Sequence, residues 1–177
     1  MAGIFLGSKK FTTANNDDNW LQFDNIFSQK HSLYELHFYD IATTGTTAIN
    51  YVEMSLIDNT GAVLSDSNYH WTRTYGRSNA AGRQTPISGL SQSKWQVAMS
   101  GFTDWPGNTV LTIHTPYESN RITSFMCSDI GSTTELHYNQ YAGTYETNTS
   151  ITGFRIFSSD TNEEMFIASV AVFGLGK

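Results

Sequence analysis

The sequence predicts an all-β protein, a single antiparallel β-sandwich of jelly-roll-like connectivity occupying residues 1–177. Three observations lead there. Short runs of β-branched and aromatic residues alternate with a period of two along most of the chain. Clusters of Asp, Asn, Gly, Ser and Pro punctuate them every ~8–12 residues. No helical periodicity persists beyond about two turns. Neither an internal repeat nor a composition break divides the 177 residues, a length that buries a sizeable core in one domain.

Taken in order, residues 1–19 read as an extended N-terminal segment. A short apolar run is followed by Lys9 and Lys10, and Asn15 to Asn19 has turn composition. Trp20, Leu21, Phe23, Ile26 and Phe27 form an apolar patch ahead of the first strong strand, Leu33 to Ile41. That strand sends Tyr34, Leu36 and Phe38 inward and Glu35, His37 and Tyr39 outward. The strand Ile49 to Ile57 buries Val52, Met54 and Leu56 and exposes Glu53 and Ser55. Asp58-Asn59-Thr60-Gly61 is then a hairpin turn, with Asn and Gly supplying positive φ, and Ala62 to Leu64 begin the return strand. Tyr69 and Trp71 belong to the next strand.

Gly76 to Gly89 is the one long stretch without periodicity. Such loops are usually mobile or functional. Beyond it, Trp95, Val97 and Met99 alternate, Asp104 to Asn108 turns around Pro106 and Gly107, and strands follow over Val110 to His114, Ile122 to Cys127 and Glu135 to Tyr141. The chain closes with Ile151 to Leu175. Two β-rich runs face each other across Ser158 to Asn162 and predict a terminal hairpin. Both parities of the second run are largely apolar, so that strand is expected to be covered on both faces.

This C-terminal stretch resembles the signature of a family of tailed-bacteriophage virion structural proteins. The matching features are Ile151-Thr152-Gly153-Phe154-Arg155-Ile156, a polar turn, and a last strand ending Val172-Phe173-Gly174-Leu175. Upstream, Leu33-Tyr34-Glu35-Leu36-His37-Phe38, the segment Tyr51 to Gly61, and Ser67-Asn68-Tyr69-His70-Trp71 follow the same pattern. Asp160 to Glu164 departs from it, carrying acids where a Gly-containing turn is more usual. The resemblance implies a head decoration or cement protein, or a fibre-associated module. Its partners would be the major capsid protein and its own copies, as a dimer or trimer. Its location would be the virion, after synthesis in the host cytoplasm.

Composition is compatible with such a role. Charged residues are only 15 %, so much of the surface suits coverage by neighbours. A net charge of −6 argues against a nucleic-acid partner, which requires a basic footprint. The N-terminal charges follow the apolar run, the wrong order for a secretory signal, and no stretch reaches transmembrane length, so no membrane partner is expected.

Catalytic motifs are absent from the sequence: there is no G-x-S-x-G, phosphate loop or G-x-G-x-x-G. The five histidines lack paired ligand spacing, and Asp17 and Asp18 lack the EF-hand pattern. Neither a metal nor a cofactor is expected, and enzymatic activity is not expected. The one cysteine, Cys127, reads as a small buried hydrophobe.

Two sets of candidate binding residues remain. Arg73, Arg77 and Arg83 form a basic cluster in an acidic chain, and with Trp105 and Phe173 they are the candidate interface residues. The loop bearing Arg77 and Arg83 reads either as a plain surface loop or as an arm docking on an acidic partner, arginine being suited to both carboxylates and rings. The alternative set, Tyr69, Trp71, Tyr75 and Trp95, consists of aromatics near loops that could line a carbohydrate site on a head or tail fibre module, though sandwich cores and protein interfaces recruit the same residue types.

Overall fold

The computed structural model describes residues 3–10, 20–43, 51–77, 85–99, 101–102, 107–132, 136–159 and 165–176. Among them the regular elements are all strands. These are β1 (Ile4–Lys10), β2 (Trp20–Phe23), β3 (Leu33–Thr43), β4 (Tyr51–Asp58), β5 (Tyr69–Arg77), β6 (Thr85–Gln92) and β7 (Trp95–Met99). They continue as β8 (Gly101–Phe102), β9 (Gly107–His114), β10 (Thr123–Ser132), β11 (Leu136–Tyr145), β12 (Ile151–Ser158) and β13 (Met165–Leu175). No helix of the described residues is long and apolar enough to cross a membrane.

The strands make two sheets, a β-sandwich as expected. The large sheet runs β1-β13-β3-β9-β10-β11-β5-β6, with β8 beside β3, and the small one runs β2-β12-β4-β7. All pairings are antiparallel except the short β3–β8 contact. Alternation places the expected side chains inside: Tyr34, Leu36 and Phe38 from β3, and Val52, Met54 and Leu56 from β4, are all buried. The small sheet's β7 packs across β5, β9, β10 and β11 and closes the core between the layers.

The closing strands are not a hairpin. β12 pairs with β2 and β4 in the small sheet, whereas β13 pairs with β1 and β3 in the large one. The two strands therefore belong to opposite layers. The reason lies in their inward faces: Phe154 and Ile156 of β12 and Val170 and Val172 of β13 are all buried, and placing them in opposite sheets lets both rows meet in one core. Coverage on both faces holds only partly for β13, because Ala171 and Phe173 on its other face are half-exposed.

Four further expectations are corrected. The segment 1–19 is not simply extended, since β1 is an edge strand of the large sheet, paired with β13; residues 11–19 lie outside the described residues. The stretch from Gly76 to Gly89 is strand at both ends, since β5 runs to Arg77 and β6 starts at Thr85; residues 78–84 lie outside the described residues. After the Asp58 turn, which Gly61 closes with a φ of 86°, the return is a single bridge from Ile57 to Val63. Ser55 is buried although it points away from the core; its cross-strand neighbour on that face is Arg155. The turn at Asp58 is otherwise as read: its carboxylate accepts from the Thr60 and Ala62 backbone N–H groups and the Thr60 hydroxyl, which together hold its pKa below the usual carboxylate value.

Candidate functional site

Strand register assembles one broad surface from distant parts of the chain. Antiparallel pairing sets Val110, Ser128, Gln140, Thr74 and Pro86 in one row across β9, β10, β11, β5 and β6. The next row is Thr112, Met126, Ala142, Thr72 and Ser88. A third row joins His114, Ser124, Thr144 and His70, and a fourth joins Asn108, Ile130, Tyr138 and Gly76. These residues point away from the small sheet, because their chain neighbours Leu111, Phe125, Tyr141 and Arg73 point into it and are buried.

None of these outward positions carries an Asp, Glu, Lys or Arg. The face is hydroxyl- and amide-rich with isolated apolar projections: Met126 is 63 % exposed, Ile130 57 %, Leu90 69 % and Val110 44 %. An open apolar groove of about 670 Å³ crosses it, lined among others by Trp71, Leu90, Phe125, Met126 and Ala142, with His70 and His114 at its end. A second groove of about 480 Å³ continues along Thr74, Val110, Ser128 and Gln140, sharing Thr72, Met126 and Ala142 with the first. Groups of this kind bind by burial and short hydrogen bonds.

Towards β1 the same face turns aromatic. Phe173 meets Phe5 edge-on at 5.7 Å between ring centroids and lies 4.9 Å from the His37 imidazole. His37 in turn contacts Glu35 at 3.1 Å. Phe173, a sequence candidate for the interface, is therefore on the outer face, partly shielded by Phe5.

The other sequence candidates fare differently. Arg73 is not on a surface arm. Its parity on β5 turns it inward, where it is 6 % exposed, and its guanidinium lies 4.5 Å from the Tyr51 ring, 5.2 Å from Tyr75 and 6.0 Å from Tyr141. The charge is held by aromatic faces inside the sandwich, so Arg73 braces β5 against β4 and β11. Arg77 lies at the end of β5, paired with His137. Arg83 and Trp105 fall outside the described residues.

Of the carbohydrate candidates, Tyr69 and Trp95 are in the core, each fully buried. The Tyr69 hydroxyl accepts from Leu56 N–H at 2.9 Å and donates to the Leu64 carbonyl at 3.0 Å, and burial pushes its pKa well up. Trp95 sits between Tyr69 and Phe125 and donates its indole N–H to the Thr144 carbonyl. Trp71 is half-buried against the core, and Tyr75 flanks Arg73. They do not converge on a sugar site. Cys127 is buried, as read: its thiol donates to the Val97 carbonyl at 2.9 Å, and burial drives its pKa well up, leaving it a poor nucleophile.

Sequence reasoning overlooked the uncharged face altogether. The only local signal was negative, namely the lack of charge at alternate positions of β9 from Asn108 to His114 and of β10 from Ser124 to Ile130, and its meaning depends on knowing which strands are neighbours. No protein-family model, curated protein or solved structure matches this chain.

Proposed function

We propose that this chain is a structural protein of the tailed-bacteriophage virion, which decorates or cements the capsid by binding the major capsid protein and its own copies. The observation that carries the reading is the outer face of the large sheet, free of formal charge across β5, β6, β9, β10 and β11 in a chain of net charge −6. Acidic subunits crowded on a shell repel one another, so contact is cheapest where no carboxylate must be desolvated. The projecting Met126, Ile130, Leu90 and Val110 supply apolar area, at about 25 cal/mol per Å² removed from water. Repeated over a lattice of identical subunits, that reinforces the shell without any catalytic step. The C-terminal Ile151–Ile156 and Val172–Leu175 resemblance points to the same class of protein.

The test is the number of copies per virion, measured by gel densitometry of purified particles against the major capsid protein. A decoration protein is expected in numbers comparable with the capsid subunit, on the head. A count that is a small fraction of that, located at the tail, would replace this reading with a fibre module.

A further inference from the structure

A second site lies at one end of the sandwich, where three connections meet: residues 24–32 between β2 and β3, 115–122 between β9 and β10, and 146–150 between β11 and β12. They enclose a pocket of about 320 Å³ that shares no lining residue with the grooves on the outer face. Every lining side chain is polar: Ser28, Gln29, His31, Tyr117, Glu118 and Asn120, completed by two serines. That volume is at the lower end of small-ligand sites.

The pocket is built rather than incidental. Thr115 N–H donates to the Ser32 carbonyl at 2.7 Å, Ile151 N–H to Pro116 at 2.8 Å, and Phe27 N–H to Thr152 at 3.0 Å, so the surrounding segments are tied together through their backbones. Thr115 takes a φ of 51°, a left-handed conformation that costs a β-branched residue free energy and persists only where its surroundings impose it. The His31 ring is seated on the backbone of Gly174, where any Cβ would collide with it, and meets Tyr34 edge-on. Its Nδ1 is buried without a hydrogen-bond partner.

We infer that this pocket binds a neutral mono- or disaccharide. Sugar hydroxyls donate and accept at once, matching the amides of Gln29 and Asn120 and the serine hydroxyls, while Tyr117 offers an aromatic ring to the sugar's C–H face. The only carboxylate in the lining, Glu118, is already paired with Arg121 at 3.1 Å, and the lining contains no Lys or Arg, which disfavours phosphates and acidic sugars. An apolar peptide would find no apolar wall.

The experiment is saturation-transfer NMR of the full chain with glucose, galactose, N-acetylglucosamine, lactose and, as charged competitor, glucuronate. Saturation transfer to the ring protons of at least one neutral sugar is expected. Tyr117→Ala and Asn120→Ala should each weaken it about tenfold, the scale of one lost contact, with spectral dispersion unchanged. Met126→Asp, on the outer face, should leave sugar binding intact whatever it does to capsid attachment. No transfer to any neutral sugar, transfer that survives both pocket variants, or preference for glucuronate would overturn the inference.

Discussion

Trp95 of β7 donates its indole N–H to the carbonyl of Thr144 on β11 at 2.9 Å, one of the bonds, with Tyr69–Leu56 and Cys127–Val97, that tie the small sheet to the large one through the core. The ring is fully buried between Tyr69 and Phe125. Trp95→Phe keeps an aromatic ring but leaves the Thr144 carbonyl unsatisfied and a void behind it. A loss of about 2–4 kcal/mol is expected, read from urea unfolding midpoints at unchanged slope. A variant as stable as the parent would mean that this bond does not hold the layers together.

Arg73 should behave as a core residue. Replacing it with Ala removes a buried cation from the faces of Tyr51, Tyr75 and Tyr141 and opens a cavity among them. The expected cost is about 2–4 kcal/mol, and Arg73→Lys should recover only part of it because an ammonium lacks the planar stacking surface. If Arg73→Ala melts like the parent yet fails to bind heads, the residue is an interface arm after all.

On the outer face the pattern reverses. Met126→Asp and Val110→Asp, at positions 63 % and 44 % exposed, should change stability by no more than ~0.5 kcal/mol. Both place a carboxylate where the surface has none, and so should abolish co-sedimentation with undecorated heads and any self-association seen by light scattering. Retained binding by the double variant would remove this face from the proposed interface.

Alkaline pH supplies a global test. Burial raises the pKa of Tyr145 to about 12 and pushes Tyr69 and Tyr141 up as well, from the ordinary phenol value near 10. Each phenol is therefore neutral in the fold at pH values where the unfolded chain is ionised. The stability they contribute is complete below about pH 10 and falls as pH rises towards 12 and beyond. Phenolate absorbance should show the exposed tyrosines ionising first and a later, cooperative step coinciding with loss of the β-sheet circular dichroism signal. Smooth titration of every tyrosine with the sheet intact would contradict the burial of these three.

By itself the sequence determined most of the strands, among them β3, β4, β9, β10, β12 and β13 but not β1, β2 or β6, and which side of them faces inward. Tyr34, Leu36 and Phe38, Val52, Met54 and Leu56, and Val170 with Val172 are buried as their alternation requires, because a period of two is a property of the extended backbone alone. The Asp58–Gly61 turn and the inert Cys127 were equally local matters. Tertiary structure decided the partners. Strands pair through backbone N–H and C=O groups that are the same at every residue, so nothing local told β12 and β13 that they belong to opposite sheets. The same is true of Arg73, whose place among three tyrosine rings depends on strands 22 residues before and 68 after it in sequence. It is truest of the uncharged face, which exists only because register sets Val110, Ser128, Gln140 and Thr74 side by side, and a surface shared among strands is a property of their packing, not of any one of them.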